Sequence, residues 1–222
     1  MNENETSKMT EKDYDFAQGA DFRVEEAQPK YAEITGKKQG EYTLEDYYAL
    51  PDERRVELID GVIYDMSAPT LLHQLIGGQI YSVIRAYIEK NGGKCLPLYA
   101  PVDVRLDCDD KTMVQPDVLI LCDESKRTKR YIMGAPDFCL EVLSKSTRRK
   151  DCIKKLEKYT DAGVKEYWII DPYAKTLLVY HWKDDYTPHM YPLTGKVGLA
   201  LYDDKLEIDL DKIADLIVDD ER

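Results

Sequence analysis

From Tyr42 onward, apolar positions recur at spacings that define one element after another. Leu44, Tyr47, Tyr48 and Leu50 share one face of a short helix, with Thr43 and Asp46 spaced as a capping box and Pro51 as the stop. Arg55 to Met66 carries two apolar runs around Asp60-Gly61, a strong hairpin signal that puts Glu57 on the first strand. Thr70 to Lys90 repeats Leu72, Leu75, Ile76, Ile80, Val83, Ile84, Tyr87 and Ile88 at helical spacing, and Asn91-Gly92-Gly93 ends the helix. Gly77-Gly78 inside it costs about 1 kcal/mol per glycine relative to alanine, which predicts close approach to another backbone. His73 lies in the first turn, where the helix dipole disfavours an imidazolium, so a neutral side chain is expected, hydrogen-bonding or packing, with packing the preferred reading.

The second half turns to short, strongly apolar runs. Lys94 to Tyr99 and Val102 to Leu106 read as strands, and Asp107-Cys108-Asp109-Asp110 reads as a turn. Val118 to Leu121 and Phe138 to Leu143 read as buried strands, followed by a long helix from Ser146 to Ala162 closed by Gly163. Its apolar stripe is Ile153, Leu156 and Tyr159. Further strands are expected at Glu166 to Asp171, Thr176 to Trp182 and Tyr186 to Leu193, and a terminal helix at Leu206 to Ile217, begun near Asp209. This order predicts an α/β (α+β) fold with a mixed central sheet flanked by helices. Residues 1–40 are polar, without a sustained apolar period, and read as a flexible extension. Residues 41–222 read as a single domain.

Composition narrows the class. The chain has 222 residues, 43% of them hydrophobic, enough for one sizeable core. No apolar run approaches the ~20 residues that span a bilayer, and the polar Met1 to Thr10 lacks a signal region, so a cytoplasmic protein is expected. The five cysteines (Cys95, Cys108, Cys122, Cys139 and Cys152) are dispersed without a CxxC pair. That argues against a disulfide framework or a cysteine zinc site and for reduced packing residues. The formal net charge of −12 opposes non-specific nucleic-acid binding. Its distribution matters more. Lys126, Arg127, Lys129 and Arg130 form one basic cluster, read as a solvated face. Lys145, Arg148, Arg149, Lys150, Lys154 and Lys155 form another, shortly after Glu141.

Two carboxylates change the picture. Asp117 precedes one apolar run and Glu141 sits inside another. An ionised carboxylate in a buried strand is costly unless paired, hydrogen-bonded or bound to a cation. Taken singly, Asp117 is a strand cap and Glu141 the partner of an arginine. Taken together, with Glu57 from the hairpin and a lysine-bearing helix behind them, they suggest a hard-metal site for Mg²⁺ or Mn²⁺. Asp151, Lys155 and Tyr159 share one helix face at i, i+4 and i+8, where the bland reading is a surface ion pair.

The segments Glu57-Leu58-Ile59-Asp60-Gly61, Gln115-Pro116-Asp117-Val118 and Glu141-Val142-Leu143-Ser144 continue with Asp151-x-x-x-Lys155-x-x-x-Tyr159, Ala162-Gly163-Val164 and Glu166-Tyr167-Trp168-Ile169-Ile170-Asp171-Pro172. In that order, and with His73 in the first long helix, they resemble the Uma-type restriction endonuclease family of the PD-(D/E)xK nuclease superfamily. The resemblance covers about Tyr42 to Asp171. It implies a restriction-endonuclease-like core and Mg²⁺-dependent hydrolysis of phosphodiester bonds in DNA. Asp117 and Glu141 then look like metal ligands, the Val142 carbonyl like a third, and Glu57 like an additional acid. Where the superfamily has lysine two places after the glutamate, this chain has Leu143. The resemblance moves that role to Lys155 in the following helix, with Lys154 as the fallback. His73 and Ser144 are candidate accessory residues, Arg148, Arg149 and Lys150 candidate contacts to nucleic acid, and a homodimer is expected. The alternative is an inactive nuclease fold that serves as a regulatory or interaction scaffold.

Overall fold

The computed structural model describes residues 36–51, 54–144 and 150–218, and of residues 150–152 the backbone alone. Lys37–Arg222 forms one compact unit. Helix α1 (Leu44–Ala49) starts at Thr43, whose backbone N–H donates to Asp46 Oδ2 at 2.7 Å. Strands β1 (Val56–Ile59) and β2 (Val62–Asp65) form the expected hairpin. Asp60 and Gly61 turn it with φ of 50° and 72°. A Cβ on Gly61 would meet the Gly40 carbonyl oxygen at 2.5 Å, so the turn tolerates no larger residue. Helix α2 (Leu71–Lys90) is capped by Thr70, whose side chain accepts from the His73 N–H at 3.2 Å.

The strands that follow are β3 (Leu96–Tyr99), β4 (Val104–Arg105), β5 (Val118–Leu121), β6 (Ile132–Met133) and β7 (Phe138–Val142). A π-helical segment, Lys150–Lys155, then runs into helix α3 (Leu156–Asp161). The chain ends with β8 (Glu166–Asp171), β9 (Thr176–His181), β10 (His189–Pro192), β11 (Lys196–Gly198), β12 (Glu207–Asp209) and helix α4 (Leu210–Ala214). Six strands make the central sheet in the order β10-β9-β8-β7-β5-β3. Neighbours are antiparallel except for the parallel pair β7 and β8, so the sheet is mixed.

Both faces of this sheet are covered, which is why its central strands lack polar alternation. On one face, Ile76, Ile80, Ile84 and Ile88 of α2 belong to the same apolar cluster as Val118, Ile120, Phe138, Leu140, Trp168 and Ile170. On the other, Leu119, Leu121, Cys139, Tyr167 and Ile169 cluster with Tyr159, Val164, Val104 and Val114. Successive residues of β5, β7 and β8 thus enter opposite layers, as strand geometry requires.

Several expectations are corrected. Cys95 and Cys122 are disulfide-bonded, while Cys108 and Cys139 are free. Leu96 lies across from Leu121 on β3 and β5, so the cysteines one step outward face each other, a register that a separation of 27 residues conceals. Gly77 is approached by the Tyr99 ring rather than a backbone, and Gly78 has open space. The strand expected at Val102 to Leu106 shrinks to β4. The terminal helix begins as strand β12, because Val197 and Ile208 pair and are both buried. In the helix after β7, Ile153 is 54% exposed and does not join the apolar stripe. Residues 145–149 lie outside the described residues.

Candidate active site

Strand register brings the acids together. Val118 on β5 lies across from Leu140 on β7, so Asp117 and Glu141 fall at the same end of that ladder. Glu141 pairs with Ile169 of β8 and shares its face of the sheet, the one covered by Tyr159. The β1–β2 hairpin reaches the same place because Leu58 bridges Met113, which sets Glu57 beside Gln115. All three acids are buried.

Their partners divide the site in two. Lys155 Nζ lies 2.7 Å from Glu57 Oε1 and 2.6 Å from Glu141 Oε1, and the lysine is 1% exposed. The surface reading of this lysine is therefore wrong. Glu57 Oε1 also accepts from the Gln115 N–H at 2.8 Å. The Tyr159 hydroxyl donates to Glu141 Oε1 at 2.8 Å. Burial, and after it the Glu141 charge, holds the Tyr159 phenol well above its ordinary pKa, so it stays a donor. The second half is Asp117. Its Oδ2 accepts from the Val142 N–H at 2.7 Å and lies 3.0 Å from His73 Nε2. His73 therefore contacts a site carboxylate instead of merely packing.

The helix after β7 explains why one lysine enters and its neighbour does not. The π-helical stretch Lys150–Lys155 widens the turn before α3, a distortion common at functional positions. Lys155 points inward from its end. Lys154 is exposed and turns to the hairpin, hydrogen-bonding the Tyr64 hydroxyl and standing 4.8 Å over its ring. The fallback lysine is thus engaged elsewhere. Ser144 follows β7 and is half-buried. Arg148 and Arg149 lie outside the described residues, as do the side chains of Lys150 and Asp151.

Gln115 forms an outer layer that sequence reasoning missed. Its Nε2 donates to Asp103 Oδ1 at 2.8 Å and to the Tyr47 hydroxyl at 3.2 Å, and that hydroxyl donates to Asp103 at 2.9 Å. This network ties α1 and the segment after β3 to the backbone that holds Glu57. Gln115-Pro116 before Asp117 was the available signal, but Asp103 and Tyr47 are too distant in sequence to be assigned to it.

A family model described as "Putative restriction endonuclease" (Uma2) matches residues 44–204. The chain belongs to this family. Its fold is similar to that of a crystal structure described as a putative nuclease belonging to DUF820 from Anabaena variabilis. The two are 20% identical with a TM-score of 0.65, over 79% of this chain and 99% of that one. No match is found among curated proteins. In this Uma2 chain, Leu143 is 3% exposed in the core layer that also holds Cys139 and Tyr159. A lysine there would replace packing contacts, whereas Lys155 brings its ammonium to the same acids from the helix.

Proposed function

We propose that this Uma2 chain is a metal-dependent endonuclease that hydrolyses phosphodiester bonds in DNA. The observation that carries the reading is the convergence of Glu57 and Glu141 on one buried ammonium, with Asp117 at the same end of the sheet. Glu57, Glu141 and Asp117 bring three buried carboxylates to the same end of the sheet. Buried anionic charge is expensive unless cations share it. The donor set, carboxylates with a nearby backbone carbonyl, suits a hard divalent ion such as Mg²⁺ or Mn²⁺.

In this reading Asp117 and Glu141, with the Val142 carbonyl, hold the ion. Bound there, it would supply Lewis acidity toward the phosphate and ease deprotonation of the attacking water. The protein supplies positioning. His73 Nε2 and the Val142 N–H fix Asp117 from two sides. Tyr159 and Lys155 both bind Glu141 Oε1 and direct that carboxylate. Glu57, held by Gln115, keeps Lys155 at the acids. There Lys155 orients the attacking water and stabilises charge on the phosphate. Arg148, Arg149 and Lys150 follow the site closely in sequence and are the proposed contacts to the phosphate backbone.

The test is cleavage of supercoiled plasmid with Mg²⁺ or Mn²⁺, and in parallel of single-stranded RNA. Metal-dependent nicking of DNA by the wild type, lost in Asp117→Ala, is expected. Cleavage that survives Asp117→Ala overturns the site, and cleavage of RNA alone overturns the substrate. The scaffold alternative is favoured by the net charge of −12, and absence of cleavage on both substrates would support it.

A further inference from the structure

We propose that His181, Asp184 and His189 form a second metal site, for a transition-metal ion such as Zn²⁺. The fold places these residues together for reasons unrelated to the acids of the candidate active site. His189 opens β10 across from Val179 of β9, and His181 ends β9 two residues after Val179. Both imidazoles therefore project from the face on which Val179 joins the α2 layer. Glu141 belongs to the opposite face. Between the two strands, Trp182–Asp184 makes one 3-10 turn, and Asp185 and Tyr186 follow with φ of 57° and 55°. The Tyr186 N–H returns to the His181 carbonyl at 3.0 Å, which closes the loop and swings Asp184 back over the strand ends.

The rings of His181 and His189 stack with centroids 5.5 Å apart and planes within 7°. The Asp184 carboxylate reaches both. Its Oδ1 lies 3.1 Å from His181 Nδ1, and its Oδ2 contacts His189 Nε2. One ligand atom from each residue can be chosen so that all lie within 4.8 Å of one another. Two of these atoms, His181 Nδ1 and Asp184 Oδ1, are shielded from solvent and make no hydrogen bond. Buried polar atoms are normally satisfied, so a close pair that lacks a hydrogen bond calls for another partner. A cation fits. With metal–nitrogen and metal–oxygen bonds of about 2.0–2.1 Å, ligand atoms on a tetrahedral ion stand about 3.3 Å apart.

The donor chemistry selects the ion. Two imidazoles and one carboxylate suit Zn²⁺ and its neighbours, whereas Mg²⁺ seeks oxygen and octahedral geometry. All three side chains are partly exposed, which leaves a fourth position open to water. A bound ion would clamp the 182–188 loop onto edge strand β10.

The experiment is calorimetric titration of Zn²⁺ into the full chain in millimolar Mg²⁺, which keeps the carboxylate site from reporting. One Zn²⁺ per chain is expected, with at least tenfold weaker binding in His181→Gln, in His189→Gln and in Asp184→Asn. Circular dichroism checks that each variant is folded. Should a variant misfold, Co²⁺ added to the wild type decides. Visible absorption of tetrahedral Co²⁺, abolished by Zn²⁺, supports the site. No Zn²⁺ binding, no such absorption, or equal affinity in the folded variants overturns it.

Discussion

Glu141 on β7 and Glu166 on β8 are carboxylates in adjacent, fully buried strands, yet the protein treats them oppositely. Glu141 faces the Tyr159 layer and meets a charged partner, Lys155, which it shares with Glu57. Glu166 shares a face with Trp168. It accepts hydrogen bonds from the Trp168 indole at 2.7 Å and from the Ala200 and Leu201 N–H groups at 3.1 and 2.8 Å. Burial pushes its pKa up to about 7, although these donors pull the other way. Neutral donors anchor the segment after β11 to the sheet but leave the carboxyl close to protonation. A buried acid in an apolar run is therefore a structural anchor when N–H groups satisfy it. It becomes a candidate site when several acids crowd one cation.

The strongest break of this contrast is Lys155→Met. It removes the ammonium that two buried carboxylates share, which costs about 3–5 kcal/mol of stability, read as a fall in denaturant midpoint. Cleavage should fall by about 10²-fold or more, the scale for losing one preorganised electrostatic group. Glu141→Gln separates stability from function. It keeps the Lys155–Glu57 contact and replaces the carboxylate with an amide of the same shape, so stability should change by under ~1.5 kcal/mol while metal-dependent cleavage disappears. A large loss of stability would show that Glu141 is mainly structural.

Glu166→Gln sharpens the other side. A raised folded-state pKa means that the proton stabilises the fold. That contribution is fully present below the ordinary value of 4.5 and is lost as pH rises through about 7. The swing is about 3 kcal/mol at about 1.4 kcal/mol per unit. Unfolding measured from pH 4 to 8 should lose that part of its slope in Glu166→Gln, with cleavage unchanged. The smallest effect belongs to Lys154→Ala, which removes an exposed contact to Tyr64. It should cost under ~1 kcal/mol and leave cleavage rates near wild type.

The same contrast shows what could be read in the chain beforehand. The α2 periodicity, the Asp60-Gly61 turn and the apolar runs of β5, β7 and β8 are local signals, and they gave the mixed sheet. Asp117 and Glu141 stood out because each interrupts or borders an apolar run. Glu166 does so too, and nothing local separates the two cases, since the difference lies in which helix or loop packs against each face. The choice between Lys154 and Lys155 depends on a π-helical turn that ordinary helical spacing does not anticipate. The contact of His73 with Asp117 joins a helix start to a strand start 44 residues apart, and only the packed fold reveals it. The Cys95–Cys122 bridge and the paired β11 and β12 likewise depend on register.

The most direct test of the candidate site is calorimetric titration of Mn²⁺ into the wild type and Asp117→Ala, with a DNA duplex present and absent and with His181, Asp184 and His189 already occupied by one equivalent of Zn²⁺. Binding by the wild type that is lost in the folded Asp117→Ala variant is the predicted result. No binding by the wild type with or without DNA, or binding that survives the substitution, would contradict the account.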